Sequence, residues 1–550
     1  MNRLKFFSVI CFFTSTLITF VIGELYFFST TGMDFGKYLP YIQYFLNISE
    51  TTGYGQGVLY YYLISFAIDF RSDLLSEINL SSYLSTSIQL VNFILYLFGL
   101  TGFFQILKST IKTSTIFFAF TFLNFFPPAF EMRLLMKPEI VAFALLPWTI
   151  LFIDNYFDDF KTKNLVFASA TLSLIFSLKG SILGMIAIFL LFKYWTLIFA
   201  NINKTIYPIG FFLFAYTLLS VENFIINDAN ILYHDSSLYT AWQNKASFNF
   251  LYHINKWDFY YFPISDYHSN SLIGITLLDT FGDYFNLIFQ SDTNYFYHQR
   301  YTNFQDNFIS KYSSQYAAII LGVLFYFLLF INFLKEKNYR IYLFAPLFGI
   351  AVLLINAFGF PNLNFDPMTG DTFKVHYYSF FLSVSYIFLV VSIFKKRTVL
   401  PIFFFTFISI GSIFTMGLIK SDVENLHHYL SYKNNTSLTC NLGKVLLTNK
   451  GSTDCEKPLN LCAYNLYSEK LEIDNLNEKK YKAGYTELLL VSSSKVYYPS
   501  SLEDCHQALE SGYSINQNFY SKLRSPPLIN LIYFLILVYG SYTIVKRTNE

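Results

Sequence analysis

Apolar residues fill this chain in long unbroken runs, unlike the alternating or one-faced patterns of soluble strands and helices. Runs of spanning or near-spanning length fall at 6–26, 84–107, 114–127, 139–154, 164–179, 181–198, 207–222, 315–334, 341–359, 374–394, 398–419 and 527–545. A bilayer's hydrocarbon core is about 30 Å thick and a helix rises about 1.5 Å per residue, so each run predicts one membrane-crossing helix. The expected fold is an all-α polytopic membrane protein with about twelve transmembrane helices. Two stretches interrupt the pattern. Residues 57–70, GVLYYYLISFAIDF, sit between YGQG and RSD and are too short to span, which suits a helix lying in the outer interface. The run beginning at 114 is short and meets Pro127-Pro128, where two missing N–H donors end the helix and are expected to open a cavity on the outer side.

Basic residues collect on one side of this arrangement. With a cytoplasmic N-terminus, the short turns on that side carry Lys108 and Lys112, Lys161 and Lys163, Lys204, KEKNYR at 335–340, KKR at 395–397, and finally Lys546 and Arg547. Cytoplasmic turns are enriched in Lys and Arg, so both termini are expected in the cytoplasm. The first run follows a basic start and lacks a small-residue cleavage site, which reads as an uncleaved first helix. Three long extracytoplasmic segments result: a first outer loop at 27–83, a large outer loop at 223–314, and 420–526. The chain then divides into a membrane domain at 1–419, a Cys-containing extracytoplasmic domain at 420–526, and a final helix with its cytoplasmic tail at 527–550.

Composition adds exclusions. With 54% hydrophobic and 21% aromatic residues, only 13% charged ones and a mean hydropathy of +0.39, a chain of this length is not a water-soluble domain. A net charge of +2 and the lack of a basic stripe point away from nucleic acid. Cys440, Cys455, Cys462 and Cys505 all lie in the exported segment, where two disulfides are expected and their pairing is open. Cys11, in the first helix, reads as packing.

Charges near membrane depth are costly and are usually kept for function. Asp34 and Lys37, in MDFGKYLPY, follow the first span, although an Asp before a helical run also serves as an ordinary N-cap. FFPPAFEMRLLMKPEI, 125–140, brings Glu131, Arg133, Lys137 and Glu139 into one outer turn. SLKGSILG places Lys179 at an outer break, where a lysine is also free to snorkel. SLIGITLLDTFGDYFNLIF sets Asp279 and Asp283 four residues apart, on one side of a helix, a spacing that serves a metal or a cap equally. TGDTFKVHYYSFF brings Asp371, Lys374 and His376 to the mouth of a late span. Cations gathered at headgroup depth suit a phosphate, and a carboxylate beside them suits proton removal from a hydroxyl.

In this order the motifs resemble the GT-C superfamily of polytopic glycosyltransferases, of the protein mannosyltransferase or lipid A aminoarabinose transferase type. The resemblance rests on Asp34 with Tyr38, on YGQGVLYYYLIS with Tyr54 and Gln56, on RLLMKPEI, on SLKG and on KVHYYS, and covers most of residues 1–395. It implies an inverting transferase that moves a sugar from a polyprenyl-phosphate carrier to a hydroxyl of a glycan, lipid or protein on the extracytoplasmic face. It further implies that Asp34 is the catalytic carboxylate, with Glu24, Glu50 and Asp69 as fallbacks. Lys37, Arg133, Lys137, Lys179, Lys374 and His376 would hold the donor phosphate, Arg133 by a two-pronged contact. Tyr38, Tyr54, Gln56, Glu139, Asp279 and Asp283 would support them. Many relatives carry two adjacent acids after the first span, whereas this chain has Asp34-Phe35; a divalent metal is compatible with the resemblance and not required by it. The expected setting is a bacterial inner membrane with the site facing the periplasm, the endoplasmic reticulum coming second. The competing classes are a polymerase or ligase of lipid-linked glycans, a transporter or flippase of a lipid-linked or anionic molecule, and a structural assembly protein of the membrane.

Overall fold

A computed structural model describes residues 3–26, 35–47, 52, 56–72, 80–227, 272–282, 308–359, 374–395, 399–415, 490–492, 495–497 and 523–547. The helices in chain order are α1 (Arg3–Tyr26), α2 (Phe35–Phe45), α3 (Leu59–Ser72), α4 (Leu80–Leu107), α5 (Thr113–Leu123), α6 (Pro127–Leu134), α7 (Glu139–Asp159), α8 (Thr162–Leu178), α9 (Gly180–Ala200) and α10 (Ile202–Asn227). They continue with α11 (Leu272–Phe281), α12 (Phe308–Lys335), α13 (Arg340–Leu343), α14 (Ala345–Gly359), α15 (Ser379–Phe394), α16 (Val399–Thr415) and α17 (Leu528–Arg547). A 3-10 turn, Val375–Tyr378, leads into α15. In the segment expected to be exported, β1 (Leu490–Ser492) pairs antiparallel with β2 (Lys495–Tyr497), Leu490 opposite Tyr497.

A helix occupies each of the apolar runs. Among the described residues, nine stretches are long and apolar enough to cross a membrane, ten if α5 and α6 are one bent span. The chain is therefore an integral membrane protein. The difference from about twelve is one of length. Helices α8 and α16 have 17 residues each, a rise of about 25 Å, short of the hydrocarbon core.

Burial separates the helices by role. From Tyr378 to Ser392 every residue is buried, which makes α15 the axis of the bundle. Large apolar side chains on α10 (Tyr207, Phe214, Ile225), α16 (Phe403, Phe407) and α17 (Leu535, Tyr539) are instead exposed, as lipid-facing positions must be. Helix α3 buries Tyr60, Tyr61, Ile64, Ser65 and Ile68 while Phe66 and Phe70 are 50% and 59% exposed. It is a two-faced helix packed on α4 and α2. Its partner α2 docks through Tyr41, whose ring stacks on Tyr61 at 4.3 Å, and Tyr38, at 5.6 Å from the same ring.

The last helix is fastened by a carboxylate the sequence did not single out. The first N–H groups of a helix lack intrahelical acceptors. In α17 those of Ile529 and Asn530 both donate to Glu222 on α10, at 2.8 and 2.8 Å, and the Asn530 amide adds a third bond at 2.9 Å.

Candidate functional site

The site is built on three interruptions of helix. The first is at Pro127-Pro128, where α5 gives way to α6 through a bend of 67°. The prolines stand in the first turn of α6, where the missing N–H costs nothing, so they start a helix as well as ending one. Pro128 has no N–H to donate to the carbonyl of Asn124, four residues back. That carbonyl accepts from Arg133 Nη2 at 2.9 Å, and Arg133 Nη1 donates to Thr19 Oγ1 on α1 at 3.0 Å. The guanidinium lies against the rings of Tyr96 and Phe130, 4.8 and 5.1 Å from their centroids. The Asn124 side chain completes the brace, donating to Ser15 and Thr16 on α1 and accepting from Tyr96 on α4.

The second interruption is the turn between α6 and α7, forced by Pro138. Here the Asn92 amide on α4 donates to the carbonyls of Arg133, at 3.2 Å, and Leu135, at 2.8 Å. Its oxygen accepts from the Tyr60 hydroxyl at 2.7 Å. One buried asparagine thus holds the turn and α3 together. From this turn emerge Lys137 and Glu139, both buried.

The third interruption is Lys179, whose extended backbone joins α8 to α9. Gly57 brings the start of α3 against it, since a Cβ there would stand 2.7 Å from Ser177 Oγ in the last turn of α8. Opposite, the 3-10 turn leading into α15 supplies His376 and Tyr377, and Gly349 on α14 leaves room for Tyr378 beside them.

These pieces meet. Lys137 Nζ lies 3.0 Å from His376 Nε2. An ammonium has only donors, so Nε2 accepts and the imidazole proton sits on Nδ1. That nitrogen faces Glu131 Oε1 at 3.8 Å, within ion-pair range and beyond a hydrogen bond. Lys179 Nζ stands 3.6 Å from Glu139 Oε1 and 4.0 Å from the centre of the Tyr377 ring, with Lys137 Nζ 5.6 Å from the same ring. Two lysines and two glutamates therefore surround one imidazole and one phenol. Lys179 is the most open of the charged group, its side chain 20% exposed against 2% for Glu139.

Aromatic residues of α2 and α3 close the cluster. Burial, with the neighbouring phenols and the Glu139 charge adding to it, pushes the Tyr61 phenol well up, and it remains a neutral donor, to Gln56 Oε1 at 3.3 Å. The Gln56 backbone N–H donates to Tyr41 and its carbonyl accepts from Asn227 at the end of α10. Asp279, on α11, accepts from the Val375 N–H at 3.3 Å and so caps the turn that carries His376. Lys374 immediately precedes that turn and is buried.

Of the residues singled out from the sequence, Lys137, Lys179, His376 and Glu139 come together, Tyr38, Gln56 and Asp279 position their surroundings, and Arg133 is engaged in the brace to α1. Asp34, Glu50, Tyr54, Asp283, Asp371, Cys440, Cys455, Cys462 and Cys505 lie outside the described residues, as do the side chains of Glu24 and Lys37. Asp69 lies on α3, near Tyr62. Sequence reasoning passed over Tyr377, Tyr60, Tyr61 and Asn92. The first three sit inside the motifs KVHYYS and YGQGVLYYYLIS, while Asn92 is one polar residue in a long apolar run, which is itself a signal. Among the described residues no three His, Cys, Asp or Glu side chains are placed to hold a metal ion. Comparison of the chain with known protein families, with curated proteins and with solved structures gave no match.

Proposed function

We propose that this protein is an inverting glycosyltransferase of the GT-C kind, which moves a sugar from a polyprenyl phosphate to a hydroxyl acceptor at the extracytoplasmic face. One observation carries the reading: Lys137, Lys179 and His376, from three distant stretches of chain, gather around Tyr377 at the ends of helices. Charges at helix ends suit a headgroup-level reaction. A transport path calls instead for polar groups or broken helices near mid-membrane.

In this reading the donor's phosphate meets Lys179 first, because that cation is the most accessible, with Lys137 behind it. Asp34 directly precedes α2, which is tied to the cluster through the stack of Tyr38 and Tyr41 on Tyr61. The Asp34 carboxylate takes the proton of the acceptor hydroxyl. The oxygen's electron pair forms the new bond to the sugar C1 as the C1–O bond to phosphate breaks on the opposite face, giving inversion. Polyprenyl phosphate leaves with the bonding electrons, already a stabilised anion, so neutralising its charge matters more than protonating it. Lipid tails would lie along the exposed aromatic-rich helices, where apolar burial supplies affinity with little specificity.

The test is incubation of the purified protein with a radiolabelled polyprenyl-phosphate sugar. Release of polyprenyl phosphate by the wild type and its loss in Asp34→Asn is the expected result. Equal release by both would place the base elsewhere, and binding without release by either would favour transport.

A further inference from the structure

Glu139 is 1% exposed, and among the described residues neither of its carboxylate oxygens accepts a hydrogen bond. Among the described residues its ion-pair partner is Lys179, at 3.6 Å, too far for a hydrogen bond. A buried carboxylate ordinarily collects two or three donors, and leaving it without them costs more than the ion contact returns. The neighbouring buried asparagines are better supplied than this carboxylate. Asn92 and Asn124 fill their bonds across three helices each. Among the described residues Glu139 is the one carboxylate whose two buried oxygens both go without a donor, and it stands beside the most open cation of the cluster.

We propose that Glu139 is the receptor for the hydroxyl groups of the transferred sugar, exposed to them when the donor's phosphate draws Lys179 away. The inference rests on the sugar-transfer reading above and adds to it a reciprocal exchange. Lys179 turns from Glu139 and the Tyr377 ring to the phosphate. Glu139 then accepts from two neighbouring hydroxyls, and the ring face that the ammonium now covers at 4.0 Å is offered to the C–H face of the sugar. Carboxylates suit this task because their two acceptor oxygens match a pair of adjacent hydroxyls. Neither half of the ligand completes the exchange alone. A phosphate without sugar takes Lys179 and leaves the buried carboxylate with neither cation nor donor; a sugar without phosphate must compete with the ammonium.

The consequence is a preference of the site for the sugar-bearing lipid over the sugar-free one. Full-length protein in nanodiscs is titrated with polyprenyl phosphate and with polyprenyl-phosphate hexose and pentose, comparing wild type with Glu139→Gln. Hydrogen bonds to a charged acceptor are worth roughly a factor of 10 to 100 in affinity. The wild type should bind at least one sugar-bearing lipid more tightly than the sugar-free one. Glu139→Gln should lose about tenfold or more on that lipid and bind polyprenyl phosphate no more weakly than wild type, since the variant has no carboxylate to strand when Lys179 leaves. An unchanged preference in the variant would overturn the role of Glu139 and leave sugar transfer standing. Equal losses on both lipids would make Glu139 merely structural. Absence of wild-type affinity for all of the lipids would sink the transfer reading itself. Should Glu139→Gln unfold, Glu139→Asp, which keeps the charge and draws the oxygens back by one carbon, is judged by the same comparison.

Discussion

Two buried polar groups flank the same short helix, α6, and behave in opposite ways. Around Arg133 and Asn124 the bonds are short and mostly closed, between 2.8 and 3.0 Å to Ser15, Thr16, Thr19, Tyr96 and the Asn124 carbonyl. Around Glu139 and His376 the approaches are looser, 3.6 Å from Lys179 to Glu139 and 3.8 Å from the His376 ring to Glu131, and among the described residues the Glu139 carboxylate lacks donors. Both groups are buried, so burial alone does not separate them. Satisfaction does. A polar network whose members complete one another rigidifies a bundle, while a partly satisfied one is destabilising by itself.

The comparison breaks most directly on Arg133. Arg133→Ala removes the donors to Thr19 and to the carbonyl orphaned by Pro128, and should lower stability by roughly 3–5 kcal/mol. Chemical denaturation in detergent measures it, and a loss under about 1 kcal/mol would make the brace ornamental. Next in size is Lys179→Ala. It should cut sugar release by about 2–4 kcal/mol at the transition state, by analogy with oxyanion donors, and lower stability less than Arg133→Ala does. A large fall in melting temperature without a kinetic effect would move Lys179 into the structural class. The smallest effect is expected at Glu222, away from both groups. Glu222→Gln keeps one acceptor for the α17 N–H groups and loses its charge at that helix start, worth about 0.5–2 kcal/mol in stability with no change in sugar release.

Some of this was readable residue by residue. Lys137, Glu139, Lys179 and His376 stand out in the sequence because charge is rare in apolar runs and because prolines or glycine mark the interruptions where backbone leaves the helix. Arg133 met the same criteria and turned out to be tied to α1. Its fate depended on the orphaned Asn124 carbonyl and on Thr19, more than a hundred positions away, which no local pattern reports. Glu222 was passed over for the corresponding reason: its partner is the start of a helix 307 residues further on.

What the sequence by itself determined is the solvent, the helical class and the places where helices stop, because hydrocarbon tolerates no unsatisfied backbone and apolar length is local information. What only the tertiary structure decided is which charges are partners and which oxygens go without donors. Those depend on how breaks in separate helices are brought to one level around α15, and pairing energies that choose between such arrangements act across space, not along the chain.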